Sequence, residues 1–177
     1  MAIGEGFIHE AYKEMLGIDI PIPLQRMTWQ EAMARFGSDK PDLRFGMELT
    51  DVSDVLKGTE FRVFAGALAG GGSVRGICLK GQADKLSRKE IDKLGEWVKS
   101  YGAKGLAWTR LASTGETSSY EKFLAPEEAK AVREKLGAET GDVLFLVASD
   151  ENKVVFDSLG ALRCNLARKF DLIDKSH

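Results

Sequence analysis

The spacing of apolar residues predicts two helices at the beginning of the chain. Residues 4–16 carry apolar side chains at helical spacing, and Gly17 follows as a C-terminal stop. The apolar residues of this first helix are Phe7, Ile8, Tyr12, Met15 and Leu16. In a second, shorter helix we expect Thr28 to be the N-cap, Glu31 to close a capping box and Gly37 to end the helix.

Four strands are predicted in the rest of the chain. Apolar residues alternate along residues 61–67, and residues 74–80 follow after three glycines, which together predict a β-hairpin. Residues 105–112 and 142–150 predict two further strands, the second of them buried. Residues 113–123 are polar and rich in hydroxyl groups, so we expect a loop there.

Three further helices alternate with these strands. The clearest covers residues 87–102, where Ser87 and Glu90 are placed to form a capping box. Residues 125–137 predict a second helix, with a proline in its first turn and acidic residues that favour the helix dipole. Asp150 is expected to be the N-cap of the last helix, which continues to about residue 170.

This order of elements, β-β-α-β-α-β-α, predicts an α+β fold with helical flanking segments. We expect a two-layer sandwich in which helices cover one face of a largely antiparallel four-stranded sheet. Ile91, Leu94 and Val98 should then pack on the strands at 61–67 and 143–148. Residues 47–56 indicate only a weak strand or a short helical turn.

Composition and charge narrow the classes of function. The chain has 177 residues, of which 44% are hydrophobic, so one domain with flanking pieces and an adequate core is expected. The net charge of −2 excludes a general polyanion binder but leaves room for a local basic patch. The N-terminus carries acidic residues where a signal peptide has a basic region, and no segment is apolar enough to span a membrane. We therefore expect a cytoplasmic protein.

The chemistry-bearing residues do not form a recognisable catalytic or metal-binding motif. Cys78 and Cys164 lie far apart in apolar segments, which favours buried free thiols, while His9 and His177 lie near the two ends. No G-x-S-x-G elbow occurs. The glycine-rich stretch GALAGGGSV lacks the lysine of a phosphate-binding loop, and a hairpin turn is the favoured interpretation. No catalytic and no metal-binding residues are predicted.

Basic residues near the predicted sheet are the first candidates for a binding role. Arg75, Lys80, Lys104 and Arg110 are expected on one side of the sheet, where they form either an RNA-facing patch or an ordinary solvated face. The two tryptophans of this region, at positions 97 and 108, are expected to pack in the core or at its rim rather than to stack on bases.

The stretch RFGSDKPDLRFG, residues 35–46, is the second candidate, and we call it the junction loop. It contains too many charges for a buried strand and too many glycines and prolines for a helix. Its candidate residues for contact with a ligand or a nucleic acid are Ser38, Asp39, Lys40, Asp42 and Arg44. The alternative is that the loop only holds the shape of a connection between two parts of the protein.

The junction loop and its neighbours resemble the bacterial-type aspartyl-tRNA synthetase family. In that family a block of the form RMTY-x-EAM-x-RYGSDKPDLR precedes a large insertion in the class II catalytic domain. The match runs from Arg26 through Arg44 almost residue for residue, with Trp29 and Phe36 as conservative replacements of aromatic residues. The stretches GIDIPIP and LGALRCNLARKFDLID are similar to the family's flanks of the insertion.

The resemblance implies a division of the chain into three parts. Residues 1–59 would be an N-terminal flank from the catalytic domain, residues 60–150 the inserted module, and residues 151–177 a helical flank that returns to the catalytic domain. The module is called GAD and also occurs in the B subunit of glutamyl-tRNA amidotransferase; its fold is of the GAD/DCoH-like kind. The flanks, residues 1 to about 45 and about 155 to 177, should expose apolar surface that packs elsewhere in a larger enzyme.

The resemblance also implies what the larger enzyme does. It would be an aspartate–tRNA ligase that uses ATP and Mg²⁺, acts on tRNA and forms a homodimer in the cytoplasm. The family's segments that bind aspartate and ATP do not occur in these 177 residues, so the chain alone is expected to be inactive and to hold no cofactor. The module would contact tRNA or brace the active site. The competing interpretation is a free-standing regulatory α+β domain that binds a small molecule.

Overall fold

The computed structural model describes residues 2–175, so Met1, Ser176 and His177 lie outside the described residues. The helices are α1 (Ala2–Leu16), α2 (Trp29–Phe36), α3 (Arg62–Ala69), α4 (Arg88–Val98), α5 (Pro126–Lys135) and α6 (Asn152–Lys169). The strands are β1 (Thr50–Asp51), β2 (Ser73–Leu79), β3 (Ala107–Ala112), β4 (Gly115–Ser118) and β5 (Val143–Ser149). Four short 3-10 helices connect them, at Asp54–Leu56, Ala83–Lys85, Lys99–Tyr101 and Glu121–Phe123.

The strands form one antiparallel sheet of five strands in the order β1-β2-β5-β3-β4. The central pair is the longest, since β2 and β5 are in register from Ser73 opposite Ser149 to Leu79 opposite Val143. The expected α+β fold with a largely antiparallel sheet is therefore confirmed, but the sheet has five strands rather than four.

Helices cover both faces of the sheet, which corrects the predicted two-layer sandwich. On one face α4 and α6 pack against Ile77, Phe145 and their neighbours of the same parity. On the other face α3 and α5 pack against Val74, Leu144 and Leu146. Both faces of the central strands are covered: β5 is apolar at every position except Ser149, and β2 is buried at every position except Arg75.

The first predicted strand, residues 61–67, is the helix α3. The alternation of Phe61, Val63 and two alanines was misleading, since Phe64 and Ala67 are the buried residues and are spaced for one helical face. Alanine favours helices and is depleted in strands, so the local composition also supports α3. The glycines that follow connect this helix with β2 instead of turning a hairpin.

The predicted polar loop at residues 113–123 contains the edge strand β4. This strand pairs with β3 from Thr109 opposite Ser118 to Ala112 opposite Gly115. Its residues are mostly exposed, so no apolar alternation marks it in the sequence. Polar and short edge strands are a common way of preventing sheets from pairing with other chains.

The two terminal segments differ in how much apolar surface they expose. Along α1, Phe7 is 75% exposed and Met15 is 80% exposed, in agreement with the expectation for the first flank. The last helix, α6, does not follow that expectation, because Val155, Leu159 and Leu162 are fully buried against the sheet. In residues 2–175, no helix combines the length and the apolar character that crossing a membrane requires.

Local capping confirms most of the predicted helix ends. Ser87 and Glu90 form the expected capping box at the start of α4. Thr28 accepts a hydrogen bond from the backbone N–H of Glu31, but the Glu31 carboxylate pairs with Arg35 instead of closing a box. The N-cap of α6 is Glu151 rather than the expected Asp150.

We predict that Leu94→Ala lowers the free energy of unfolding by about 2–5 kcal/mol, the usual cost of truncating a core leucine. Leu94 is 8% exposed and lies in the core between α4 and the sheet, together with Ile91 and Val98. Urea unfolding measures the change. The exposed neighbour Lys93 provides the control, since Lys93→Ala should change the free energy by less than about 0.5 kcal/mol. A comparably small effect of Leu94→Ala would contradict this packing.

Candidate functional site

The junction loop is held by a single buried arginine of α6. Arg163 is 1% exposed. Its guanidinium group donates to the backbone carbonyls of Asp42, Phe45, Gly46 and Met47 at 2.9–3.4 Å. The planar guanidinium with its five donors suits such a set of convergent acceptors. The path of the loop therefore depends on a residue more than a hundred positions later in the chain.

Aromatic rings and an unusual backbone conformation accompany this arginine. The guanidinium carbon lies 4.2 Å from the ring centroid of Phe45 and 5.0 Å from that of Phe36. Burial lowers the pKa of Arg163 from its ordinary value, but an arginine stays charged at any physiological pH. Met47 has a φ angle of 63°, which is uncommon for a residue other than glycine. The bonds from Arg163 to Gly46 and Met47 stabilise this turn.

Two glycines let α2 and the loop approach α6 at backbone contact. Gly37 ends α2 with a left-handed conformation, φ 66°. A Cβ atom added there would lie 2.2 Å from the carbonyl oxygen of Phe156. A Cβ added at Gly160 would lie 2.6 Å from the carbonyl oxygen of Gly37. Both positions therefore require glycine for this contact.

The base of the loop is closed by Arg35, whose guanidinium group makes two hydrogen bonds to the Glu48 carboxylate at 2.7 and 2.8 Å. The Arg35 carbonyl accepts a bond from the backbone N–H of Leu49 at 2.7 Å. The loop thus leaves α2 and returns beside it, where β1 then begins.

The candidate residues of the loop play different parts. Ser38 accepts a hydrogen bond from the backbone N–H of Lys40 at 3.1 Å, and Asp42 accepts two from the Arg44 guanidinium at 2.9 and 2.8 Å. Hydrogen bonding to Arg44 lowers the pKa of Asp42 to about 2. Asp39 and the side chain of Lys40 are exposed. Hydrogen bonds within the loop therefore stabilise its turns, and the side chain of Lys40 faces the solvent.

A cavity of about 500 Å³ lies between the loop and α6, and we call it the loop pocket. Its polar lining includes Ser38, Lys40, Asp42, Tyr101, Arg163 and Arg168. Within residues 2–175, the charged groups of Lys40 and Arg168 have no hydrogen-bond or ion-pair partner in the protein. Three candidate residues of the loop therefore line the same pocket as an unpaired cation of α6.

The four predicted RNA-facing residues lie in separate surroundings. Arg75 forms an ion pair with Asp51 at 2.7 Å, and Arg110 donates to the carbonyl of Ala83 at 2.7 Å. Lys80 forms an ion pair with the buried Asp142 at 2.8 Å. The structure does not bring these three together in one patch.

Lys104, the fourth, is exposed and has no such partner in the described part of the chain. It lines a second cavity of about 500 Å³, which we call the sheet-end pocket. This cavity lies between α3, the end of β5 and residues 104–107. Its lining includes Arg62 and Asp150, which the sequence interpretation missed because it placed Arg62 in a strand and Asp150 at the N-cap of the last helix. The correct helix would have put Arg62 on the same surface as Lys104.

The cysteines and tryptophans have the expected structural surroundings. Cys78 is buried and contacts the Asp142 carboxylate at 3.5 Å, and burial raises the pKa of its thiol to about 12. Cys164 is half-buried and free. Trp108 is 8% exposed and belongs to the core, while Trp97 packs against its edge. In residues 2–175, no group of histidine, cysteine and acidic residues is arranged to hold a metal ion.

Comparison with known families identifies the domain that contains most of the sheet-end pocket. The model of the GAD domain matches residues 64–159, which is more than half of the chain. The chain belongs to the GAD domain family. The match extends from within α3 across four of the five strands, all but β1, and into α6, so the GAD domain supplies most of the core described above.

Similar proteins share the flanks as well as the GAD domain. The aspartate–tRNA ligase of Clostridium perfringens (strain 13 / Type A) is 54% identical over 177 residues, which cover 99% of this chain and 29% of that protein. The aspartate–tRNA ligase of Clostridium botulinum (strain Eklund 17B / Type B) is 53% identical, with 98% and 28% covered. The aspartate–tRNA(Asp/Asn) ligase of Thermoanaerobacter pseudethanolicus is 51% identical, with 99% and 29% covered. The chain thus spans about 29% of the length of such relatives.

We predict that Arg163→Met lowers the free energy of unfolding by about 2–4 kcal/mol, because four loop carbonyls lose a charged, buried donor. Amide hydrogen exchange should also accelerate in residues 42–49. Arg168→Met, on the exposed side of the same helix, is the matched control and should change stability by less than about 0.5 kcal/mol. Equal effects of the two variants would show that Arg163 does not anchor the loop.

The pairing of Asp42 with Arg44 predicts a pH dependence. Because the pKa of Asp42 is depressed to about 2, its contribution to stability is present above the unfolded pKa of about 3.9 and is lost as the pH falls towards 2. In Arg44→Met, Asp42 should titrate close to the unfolded value. Carboxyl-detected NMR measures this titration. Lys93→Met, a distant exposed change, should leave it at about 2; a similar Asp42 pKa in Arg44→Met and the unchanged protein would contradict the assignment.

Proposed function

We propose that this chain is the part of an aspartate–tRNA ligase that carries the GAD domain, and that it takes no direct part in the chemistry. The observation that carries the proposal is the identity of 51–54% to such ligases across both flanks and the domain. The whole enzyme would activate aspartate with ATP and Mg²⁺ and transfer it to tRNA. It would act as a homodimer in the cytoplasm, as the family resemblance implies.

Within that enzyme we propose three parts for the chain. Residues 1–59 and 151–177 would continue into the catalytic domain, and residues 60–150 would be the inserted module. The exposed apolar face of α1 supports the first boundary, because an isolated soluble domain rarely leaves such a surface uncovered. In the full-length enzyme this face would pack on other parts of the same chain.

We propose that the chain contacts tRNA through cations that have no partner in the described residues. Lys40 and Arg168 line the loop pocket, and Lys104 lies on the opposite side of the module's sheet. With a net charge of −2, the chain cannot hold a polyanion strongly by itself. A module tethered to an enzyme that already holds tRNA works at a high effective concentration, so a few phosphate contacts suffice.

A second role, bracing of the active site, is supported by Arg163. This residue lies in the helix that packs on the module's sheet, yet its bonds determine the path of the junction loop. In the family this loop leads out of the catalytic domain. Loss of the module's packing would therefore disturb the loop, and aspartate activation would then depend on the module.

The test compares two activities of the full-length enzyme. We expect Lys40→Glu combined with Arg168→Glu to raise the KM for tRNA by about tenfold and to reduce the salt dependence of tRNA binding, while aspartate-dependent ATP–pyrophosphate exchange is retained. Surface variants are preferable to deletion of residues 60–150, because the deletion would strip the buried face of α6. Residues 1–177 alone should show no exchange and should bind tRNA no more tightly than about 10⁻⁴ M at physiological salt.

Two further variants separate the roles. Lys89→Glu combined with Lys93→Glu changes the charge by the same amount at exposed sites of α4 and should leave both activities unchanged. Arg163→Met should reduce exchange and aminoacylation together if the module braces the active site. An unchanged KM for tRNA in the double variant would contradict the contact through the loop pocket, and exchange by residues 1–177 alone would contradict a non-catalytic chain.

A further inference from the structure

The sheet-end pocket exists because two neighbouring strands separate. The pairing of β3 with β5 ends at Ala107 opposite Leu146, whereas β5 stays paired with β2 as far as Ser149. If β3 continued in register, residues 104–106 would lie beside residues 147–149. Instead this segment and α3 enclose a cavity of about 500 Å³ at the end of the sheet.

The interior of this pocket is largely apolar, with small side chains beside aromatic and aliphatic ones. Phe64, Ala67 and Leu146 are buried and contribute to its lining, together with Ala107 and Ala148. Small residues leave room where larger ones would fill the space with the protein's own atoms. The volume is within the range of small-molecule sites, which are mostly apolar with few polar groups.

Three exposed charged residues complete the lining. Arg62 and Lys104 have no hydrogen-bond or ion-pair partner within residues 2–175, and the Asp150 carboxylate has only a 3.4 Å contact with the hydroxyl of Ser149. Two free cations suit a phosphate group. A carboxylate beside them disfavours a ligand that is only anionic, but it suits a ligand that also carries hydroxyl donors.

We propose that the sheet-end pocket binds one ribonucleotide: the base enters the apolar interior, Arg62 and Lys104 bind the phosphate, and Asp150 accepts a hydrogen bond from the ribose 2′-hydroxyl. The proposal rests on the proposed function for its source of ribonucleotide, an unstacked residue of tRNA. Proteins that recognise RNA bind such splayed-out bases in apolar or aromatic surroundings and use the 2′-hydroxyl to distinguish RNA from DNA.

The chemistry of the pocket selects this ligand over simpler ones. A fatty acid would use the apolar interior and the cations but would leave Asp150 without a donor. Inorganic phosphate would use the two cations but not the interior. A ribonucleotide uses all three features, and its base has the size that an interior lined with alanines leaves open.

The test titrates residues 1–177 with adenosine 5′-monophosphate, its 2′-deoxy analogue and inorganic phosphate, each to millimolar concentration, followed by amide NMR. We expect saturable shifts in residues 62–67, 104–107 and 146–150, and binding of the ribonucleotide about three- to tenfold tighter than that of the deoxy analogue. Lys104→Glu should weaken binding by about tenfold or more, and Asp150→Asn should remove the preference for ribose. Lys93→Glu is the matched charge control and should change neither.

Substitution of Gly66 by a larger residue should fill the pocket without destabilising the fold. Gly66 lines the pocket within α3, and a Cβ added there meets no atom within 4 Å. Gly66→Leu should abolish binding, while Gly66→Ala, which adds a single methyl group, should retain it. Neither should lower the melting temperature, because glycine inside a helix is itself destabilising.

The outcomes separate this proposal from the proposed function. Absence of saturable shifts, shifts outside the pocket, or unchanged binding in Gly66→Leu would overturn the ribonucleotide site, whatever the loop-pocket variants do to aminoacylation. Binding of the deoxy analogue equal to that of the ribonucleotide would overturn the role of Asp150. Suppose that the nucleotide binds in the pocket but that Lys104→Glu in the full-length enzyme leaves the KM for tRNA unchanged. This result would support the site but assign it to a free nucleotide.

Discussion

The contact of one buried guanidinium group with four backbone carbonyls connects the two halves of this chain. Arg163 lies in α6, which packs on the central strands, and its bonds reach the junction loop between α2 and β1. The glycines at 37 and 160 bring the same two elements into backbone contact. Because an unpaired buried charge or carbonyl would be costly, the helix and the loop can only form this arrangement together. Packing of α6 on the sheet thus determines the path of a loop that lies outside the region matched by the GAD domain model.

This coupling gives the junction loop a fixed backbone, with cations beside it that are unpaired within residues 2–175. Hydrogen bonds of Ser38, Asp42 and Arg44 stabilise the turns of the loop. Lys40 lines the same pocket as Arg168. A rigid backbone with free cations is suited to positioning a phosphate, since less freedom is lost on binding than with a mobile loop. The sheet-end pocket lies on the other side of the sheet, so the described part of the chain has two separate pockets with unpaired cations in their lining.

The basic side chains fall into two groups, those paired within the fold and those that line the pockets. Arg75, Lys80 and Arg110 engage acidic side chains or carbonyls and stabilise the fold, whereas Lys40, Lys104 and Arg168 line the two pockets. Position in the sequence does not separate these two groups. An acidic chain therefore retains local positive sites, because a cation's availability depends on its partner and not on net charge.

The sequence by itself determined the elements whose signals are local. The capping box of Ser87 and Glu90, the continuous apolar run of β5 and the block that contains the junction loop were all recognisable without coordinates. Only the tertiary structure decided that residues 61–67 are a helix, that β4 pairs at the edge, and that helices cover both faces. It also decided which cations are free and that Arg163 holds the loop. Each of these depends on partners distant in the chain, and burial by such partners outweighs the weak preferences of short segments.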